Sequence, residues 1–286
     1  MPDVVVVTGA SRGAGKGIAL ALGATGATVY VTGRTVSDGD SDLPGSITRT
    51  AREIDERGGV GIPVVCDHGD DAAVEALFAQ VAAEQGRLDI LVNNAFAIPD
   101  GITSRKPFWE KGLRQAGVLD VGLRSSYVAS FHAAPLLING GKLLVNTSSF
   151  GGTCYMHGPA YGAVKAGVDK MAHDMAEDLR PFGVAAISLW MGFLRTERTE
   201  ALFEAVELDP SHPYRGFTDQ AETAEFPGRV IAALAASPER MSYSGRVVVA
   251  AEAAHELGIT DIAGNQPPSH REMLGSPPEY SPVVIH

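Results

Sequence analysis

The stretch Val4-Val5-Val6-Val7-Thr8-Gly9-Ala10-Ser11-Arg12-Gly13-Ala14-Gly15 decides the fold, because it joins an apolar run to a glycine-rich turn. Four successive β-branched residues are typical of a strand that is covered on both faces, as in a parallel sheet. The apolar residues at about 18–22 predict a helix after the turn. In this arrangement the backbone N–H groups of the turn and the helix N-terminus hold a pyrophosphate. We therefore expect a dinucleotide to be bound by Gly9, Ser11, Arg12, Gly13 and Gly15.

A nucleoside triphosphate loop is the competing interpretation of these glycines. That loop requires Gly-x-x-x-x-Gly-Lys followed by Ser or Thr, whose hydroxyl binds magnesium. In this chain Ala10 stands where the first glycine of that loop should be, and Gly17 follows Lys16 where the hydroxyl should be. Both departures favour the dinucleotide interpretation.

The end of the second predicted strand, at about 28–32, indicates which dinucleotide binds. An Asp or Glu at this place would bind the ribose 2′-hydroxyl of NAD, whereas an arginine accommodates the 2′-phosphate of NADP. No acid is present, and Arg34 and Thr35 together with Arg12 supply positive charge and hydrogen-bond donors. The sequence therefore favours NADP(H) over NAD, although either arginine can also be a solvated surface residue.

Strands and helices alternate along the rest of the chain. Further strands are predicted at about 60–66, 88–92, 142–146, 184–190 and 246–250, and further helices at about 47–57, 74–81, 118–137, 161–178 and 225–236. This alternation predicts an α/β fold: a single Rossmann-type domain, 1–286, with a doubly wound parallel sheet of about seven strands flanked by helices. Ligands of such sheets lie beyond the carboxyl ends of the strands, where Asp67, Asn94 and Ser149 are expected together with the glycine-rich turn and Arg34. Asp67 can contact the adenine amino group there, or it can cap the following turn.

Tyr161 and Lys165 form the candidate catalytic pair. Four residues apart on a helix, they lie on the same face, and a cation close to a phenol favours the phenolate. Such a phenol can act as a general acid for a carbonyl being reduced, or as a base for an alcohol being oxidised. Ser149, at a predicted strand end, can hydrogen-bond the same oxygen. Taken alone, Tyr-x-x-x-Lys also occurs by chance on many helices.

Composition and charge argue against several other classes of protein. No apolar run approaches the ~20 residues of a membrane span. The net charge of −11, without a basic cluster, makes nucleic acid an improbable partner. Cys66 and Cys154 and the eight scattered histidines show no metal-ligand spacing, so no metal is expected. The N-terminus lacks the basic n-region of a signal peptide, which favours a cytoplasmic location.

Two segments fall outside the alternating pattern. Residues 191–225 have no clear periodicity and are predicted to form a lid over a small-molecule substrate. The aromatic residues of this lid suit an apolar carbonyl compound: Phe193, Phe203, Tyr214 and Phe217. Residues 258–286 form a C-terminal extension whose five prolines exclude a long helix.

In combination, these motifs resemble the classical short-chain dehydrogenases/reductases over residues 3 to about 250. Thr8-Gly9-x-x-x-Gly13-x-Gly15 is similar to the cofactor loop of that family, Asn93-Asn94-Ala95 to its strand-four motif, and Ser149, Tyr161 and Lys165 to its catalytic set. The resemblance implies an oxidoreductase that transfers a hydride between nicotinamide and a carbonyl or secondary alcohol.

The same resemblance implies roles for individual residues. Tyr161 would be the acid/base, Lys165 would lower its pKa and hold the nicotinamide ribose, and Ser149 would orient the substrate oxygen. Asp67 would contact adenine, Asn94 the adenosine ribose region and Thr196 the nicotinamide carboxamide. A homodimer or homotetramer built on the helices around 118–137 and 158–180 is also implied.

Several positions depart from the family pattern. Phe96 follows Ala95 where the family has glycine, and Trp190-Met191-Gly192 replaces Asn-Pro-Gly. Gly122 stands where the family usually has an asparagine that supports a water in the proton relay. The gap from Ser149 to Tyr161 is one residue shorter than the commonest spacing in the family. These departures leave two alternatives: an NADP-binding sensor or scaffold without turnover, and a dehydratase or epimerase on the same fold. The intact Ser149, Tyr161 and Lys165 favour the oxidoreductase.

Overall fold

A seven-stranded parallel sheet forms the centre of the protein, whose computed structural model describes residues 1–209, 211 and 215–285. The strands are β1 (Val4–Val7), β2 (Thr28–Gly33), β3 (Val60–Val65), β4 (Ile90–Asn93), β5 (Leu143–Ser148), β6 (Ala185–Trp190), β7 (Leu194–Arg195), β8 (Glu222–Thr223) and β9 (Val247–Val249). The central sheet has the order β3-β2-β1-β4-β5-β6-β9, and β7 pairs with β8 in a separate small sheet. This confirms the predicted α/β fold and the number of strands.

Helices cover both faces of the sheet. They are α1 (Gly13–Gly23), α2 (Ile47–Asp55), α3 (Asp71–Gln85), α4 (Ser125–Leu137), α5 (Pro159–Leu179), α6 (Glu200–Leu208), α7 (Arg215–Thr218), α8 (Phe226–Ala236), α9 (Ala250–Leu257) and α10 (Arg271–Leu274). Because side chains alternate along a strand, Val5 and Val7 pack in the core on the side of α1, α2, α8 and α9, and Val4 and Val6 in the core on the side of α3, α4 and α5. Both faces of β1 are therefore buried, as the run of four valines predicts.

The chain order of the strands reverses beside β1. From β1 the chain passes outward through β2 and β3 on one side, and through β4, β5, β6 and β9 on the other. The connections after β1 and β4 therefore lead in opposite directions, which opens a crevice at the carboxyl ends of these strands. The glycine-rich turn, Asn94 and Ser149 all follow strands at this edge of the sheet.

Three segments differ from the sequence prediction. The helix expected at 118–137 is interrupted: a kink in Leu119–Arg124 precedes α4, where Val121 and Gly122 have non-helical backbone angles and Gly122 has a φ of +154°. The predicted lid contains β7, α6, α7 and β8 among its described residues, whereas Tyr214 lies outside them. After β9 the chain forms α9, an alanine-rich helix that the strand prediction at 246–250 did not include, and the C-terminal extension includes the single turn α10.

None of the helices in the described ranges is long and apolar enough to cross a lipid bilayer.

Candidate active site

A cavity of about 550 Å³ lies at the carboxyl edge of the sheet. It is lined by every predicted cofactor residue except Tyr161 and Lys165, namely Gly9, Ser11, Arg12, Gly13, Gly15, Arg34, Thr35, Asp67, Asn94 and Thr196. These residues come from loops after four different strands and from the segment that follows β7. The structure thus brings together residues that are as many as 187 positions apart in the sequence, from Gly9 to Thr196.

The glycine-rich turn is tied to the end of β4 by hydrogen bonds. Thr8 Oγ1 accepts from the backbone N–H groups of Asn94 (2.8 Å) and Ala95 (2.9 Å), and Asn94 Nδ2 donates to the carbonyls of Thr8 (2.9 Å) and Gly9 (3.1 Å). Gly9 has a φ of +66°, and a Cβ there would lie 2.8 Å from the Cα of Ala95. Only glycine fits this close approach, so the turn needs Gly9 for its shape.

The N-terminus of α1 already binds an anionic group. The backbone N–H of Gly13 donates to Oε2 of Glu197 at 2.8 Å. Unpaired N–H groups and the helix dipole favour negative charge at this position, so the carboxylate stands in for an oxygen of a phosphate. The site therefore fits the pyrophosphate of a dinucleotide. Sequence analysis missed Glu197, for which the only signal was its place directly after Thr196.

Two arginines lie at the far end of this cavity. Arg12 donates through Nη2 to Thr35 Oγ1 (3.3 Å) and to the carbonyl of Gly45 (2.9 Å). Arg34 forms a solvent-exposed ion pair with Asp67, in which Nη1 and Oδ2 are 3.7 Å apart. Asp67 also accepts a hydrogen bond from the backbone N–H of Gly69 at 2.9 Å, so it caps the turn that follows β3. The guanidinium groups and the Thr35 hydroxyl suit a phosphate on the adenosine ribose.

Ser149 and Tyr161 are in direct contact, with Oγ and Oη 2.9 Å apart. Ser149 begins a short 3₁₀ turn after β5, and its Oγ accepts the backbone N–H of Gly151 at 3.3 Å. Tyr161 lies in the first turn of α5, which starts with Pro159, a residue that suits the first turn of a helix. Lys165, one turn later, is buried, and its Nζ donates to the carbonyl of Thr147 at 3.2 Å. The structure brings all three predicted catalytic residues to one place.

Burial controls the ionisation of this site. It raises the pKa of Tyr161, an effect that the hydrogen bond from Ser149 partly offsets. It also lowers the pKa of Lys165 to about 8, which the nearby Asp169 carboxylate partly offsets. Desolvation is therefore the largest influence on the pKa of Tyr161, and the lowering of this pKa by Lys165 stays a prediction. The phenol is therefore protonated at neutral pH, which suits a proton donor.

Phe96 occupies the space beside Gly122. A Cβ on Gly122 would lie 2.9 Å from Cδ2 of Phe96, and the φ of +154° at this position also disfavours other residues. The Phe96 ring lies 5.7 Å from the Tyr161 ring, centroid to centroid, and 4.9 Å from Nζ of Lys165. Phe96 and Gly122 both depart from the family pattern, and the two departures compensate for each other. The Phe96 ring fills the space that a side chain at position 122 would occupy.

A buried carboxylate lies one helical turn from Lys165. Asp169 follows Lys165 by one helical turn and accepts hydrogen bonds from Ser188 Oγ (2.5 Å) and Trp190 Nε1 (3.0 Å). Burial raises the pKa of Asp169, whereas these hydrogen bonds and Lys165 act in the opposite direction. Trp190, the first residue of the altered Asn-Pro-Gly motif, therefore has Asp169 as its polar partner.

A second cavity, of about 410 Å³, has Tyr161 in its wall. This wall is largely apolar and comes from the connection after β4, with Ile102, Phe108, Trp109, Leu113 and Val118. Its polar side chains are Tyr161, His157, Lys111 and Gln115. Phe96, which lines the first cavity, contacts the Tyr161 ring and so links the two cavities. Described residues of the predicted lid, 194 and 196–198, line the first cavity and not the second.

Comparison with known proteins identifies the family. The family model for short chain dehydrogenase matches residues 3–207. The chain belongs to the short chain dehydrogenase family. It is 42% identical over 274 residues to dehydrogenase/reductase SDR family member 1 of Mus musculus, covering 92% of this chain and 84% of the mouse protein. Over 270 residues it is 41% identical to the Homo sapiens protein of the same name, with the same coverage.

Solved structures of short chain dehydrogenases have the same fold. A short chain dehydrogenase from Mycobacterium thermoresistibile superposes with a TM-score of 0.76 at 26% identity, covering 93% of this chain and 92% of that one. A short-chain type dehydrogenase/reductase from Mycobacterium marinum gives 0.69 at 28% identity, covering 86% and 93%. The family predicted from the sequence motifs is therefore confirmed, and membership implies an oxidoreductase with a nicotinamide cofactor.

Among the described residues, no three or more His, Cys, Asp or Glu side chains are grouped as metal ligands.

Proposed function

We propose that the protein is an NADP(H)-dependent oxidoreductase that transfers a hydride between nicotinamide and a carbonyl compound or secondary alcohol. The observation that carries this proposal is the 2.9 Å contact between Ser149 Oγ and Tyr161 Oη, where Tyr161 lines an apolar cavity and packs against Phe96 of the dinucleotide-sized cavity. A proton donor, a second hydroxyl and a buried cation close together are what carbonyl reduction requires.

In this proposal each of the three side chains has its own role. When bound, the nicotinamide supplies or accepts the hydride. Tyr161 gives its proton to the substrate oxygen as negative charge develops there, and Ser149 donates a hydrogen bond to the same oxygen. The ammonium of Lys165 stabilises the phenolate that Tyr161 leaves behind. In the direction of alcohol oxidation, Tyr161 takes the proton instead.

The cofactor preference rests on the arginines of the first cavity. Gly13 binds an anion at the N-terminus of α1, where the pyrophosphate would lie. Arg12, Arg34 and Thr35 would hold the 2′-phosphate that distinguishes NADP from NAD. In this arrangement Asp67 would contact the adenine, Asn94 the adenosine ribose region and Thr196 the carboxamide.

The catalytic assignment is tested by Tyr161→Phe. We expect carbonyl-dependent NADPH oxidation to fall by about a thousandfold, with the Kd for NADPH nearly unchanged, because only the proton donor is lost. Tyr155→Phe is the matched control, since Tyr155 is 80% exposed and should tolerate the change. If the wild-type protein binds NADPH but reduces no member of a broad carbonyl panel, a cofactor-binding sensor is the better assignment.

The cofactor assignment is tested by Arg34→Ala. Loss of a charged hydrogen bond to the 2′-phosphate should weaken NADPH binding by about tenfold or more and leave NADH binding unchanged. Arg52→Ala on α2 is the control, because Arg52 does not line the cavity. An unchanged ratio of the two affinities in Arg34→Ala would refute the 2′-phosphate assignment.

Association of subunits also belongs to the proposal. Helix α4 exposes Tyr127 and Phe131, whose side chains are 55% and 65% exposed, on a helix that the family resemblance places in the subunit interface. We propose a homodimer or homotetramer, which light scattering would distinguish from a monomer. A cytoplasmic location stays a prediction from the sequence.

A further inference from the structure

His157 has an unusual backbone conformation next to the catalytic tyrosine. Among the described residues it is the only one other than glycine with a positive φ, +60°. The backbone N–H of Gly158 donates to the carbonyl of Met156 at 2.8 Å, which closes a γ-turn centred on His157. Such turns are rare and strained, and this strain persists only where the surroundings enforce it.

Lys111 holds this turn in place. Its Nζ donates to the carbonyl of His157 at 2.8 Å and to the carbonyl of Ile102 at 3.0 Å. These bonds join the turn before α5 to the loop that walls the apolar cavity. The side chain of Lys111 is therefore engaged with the backbone, and the strained turn is fixed relative to the cavity wall.

The strained turn directs the imidazole into the apolar cavity. The His157 ring lies 4.9 Å from the Tyr161 ring, centroid to centroid, with an interplanar angle of 82°. His157 lines the same cavity as Tyr161, and within the described part of the chain its ring nitrogens form no hydrogen bond or ion pair. Burial, and secondarily the charge of Lys111, lower the pKa of His157. A neutral imidazole, with one donor and one acceptor, thus faces the cavity beside the phenol.

We propose that His157 is a specificity-determining residue that hydrogen-bonds a second oxygen of the substrate, so that the cavity takes apolar carbonyl compounds with another oxygen next to the reacting carbonyl. This proposal rests on the proposed function, because it places the reacting carbonyl at Tyr161. Vicinal diketones and α-hydroxyketones with aryl or bulky alkyl groups are the substrate class. The apolar wall accommodates the hydrocarbon groups, and the imidazole binds the oxygen that Ser149 and Tyr161 do not bind.

Two ketones of nearly the same size test the proposal. Benzil carries a second carbonyl next to the first, whereas deoxybenzoin has a methylene group there. The measurement is kcat/KM for each ketone with the wild-type protein and with His157→Phe, which keeps an aromatic ring but cannot hydrogen-bond. We expect kcat/KM for benzil to fall about fivefold to tenfold, because one neutral hydrogen bond is lost. The kcat/KM for deoxybenzoin should change less than about twofold. Comparing each ketone with itself removes the difference in their intrinsic reactivity.

A second variant separates specificity from folding. His157→Gly removes the imidazole and relieves the positive φ, so we expect a Tm at or above that of the wild type together with the same selective loss for benzil. His255→Asn is the control, since His255 is exposed on α9 and should leave both ketones unchanged.

The outcomes distinguish the two proposals. Equal losses for both ketones in both variants, or no loss for benzil, would overturn the role of His157 while leaving carbonyl reduction intact. A wild-type protein that reduces neither ketone, nor any other carbonyl compound, would overturn the proposed function and this inference with it.

Discussion

Replacing Asp169 with asparagine tests whether a buried charge behind the catalytic lysine sets the pH range of the enzyme. Asp169 lies one helical turn from Lys165, and it raises the pKa of Lys165, which burial lowers to about 8. Asparagine has nearly the same shape, and its carbonyl oxygen can still accept a hydrogen bond from Trp190 or Ser188. The substitution therefore removes mainly the negative charge.

The size of the effect follows from the spacing of the two residues. Side chains four apart on a helix have Cβ atoms about 6 Å apart. Opposite charges about 7 Å apart, at an effective dielectric constant of about 20, attract by about 2 kcal/mol, which corresponds to about 1.5 pH units. Without Asp169, the pKa of Lys165 should thus fall from about 8 to below 7.

The sign is determined by the form of Lys165 that is active. In the proposed mechanism the ammonium stabilises the phenolate of Tyr161, so activity is present below the pKa of Lys165 and is lost as pH rises through it. In Asp169→Asn this loss moves to lower pH, and about one quarter of Lys165 stays protonated at pH 7, compared with about nine tenths in the wild type. Activity at pH 7 should therefore fall about fourfold and recover near pH 5.5.

The assay is kcat/KM for a carbonyl compound at saturating NADPH across the pH range. Phe96, Thr147 and Tyr161 also contact Lys165, but among these only Tyr161 is titratable. Tyr280 of the C-terminal extension is another titratable group that interacts with Asp169, and burial raises its pKa to about 12, above this range. Asp174→Asn, an exposed position on the same helix, is the control. A uniform loss of rate without any movement of the pH profile would refute the electrostatic role of Asp169.

Other predictions concern stability and cofactor binding. Burial raises the pKa of Glu222 from 4.5 to about 8, so the folded state holds a proton that the unfolded state releases, and stability falls as pH rises between these values. In Glu222→Gln much of the fall in Tm between about pH 5 and pH 8.5 should disappear. The exposed control Glu75→Gln should keep the full fall, and an equal fall of Tm in both variants would contradict this prediction. Glu197→Gln should tighten NADPH binding by about threefold in a fluorescence titration, because the carboxylate on Gly13 competes with the pyrophosphate; unchanged affinity would exclude this competition.

The strands of the central sheet could be predicted from sequence because buried parallel strands give continuous apolar runs. Val4–Val7 is covered on both faces, and its composition alone indicates this. The two-residue strands β7 and β8 give no such signal. They exist because of contacts such as the bond from the Glu222 N–H to the Phe193 carbonyl at 2.8 Å, which join residues far apart in sequence. The interrupted helix before α4 was missed for the same reason, since the ring of Phe96 that Gly122 accommodates is 26 positions away.

Much of the candidate site could be predicted because its residues stand at strand ends or at helical spacing. Ser149 follows β5, Tyr161 and Lys165 are one turn apart, and the structure brings them together. His157 and Glu197 were missed, because a strained φ and a carboxylate on a helix N-terminus are properties of the folded chain. No residue pattern in the sequence signals His157, and the only signal for Glu197 is its place directly after Thr196.

The positions that depart from the family pattern contact each other or the catalytic helix, and this determines where Lys165 finds its polar partners. The Phe96 ring fills the space at Gly122, and its centroid lies 4.9 Å from the Lys165 ammonium. An apolar ring thus occupies the side of Lys165 where the family has its relay asparagine. An aromatic ring attracts the cation but cannot exchange a proton with it. On the opposite side, Trp190 binds Asp169, which is the carboxylate that acts on Lys165. Apart from burial, the charge of Lys165 therefore depends on a carboxylate of its own helix, and the informative substitution is at Asp169 and not at Gly122.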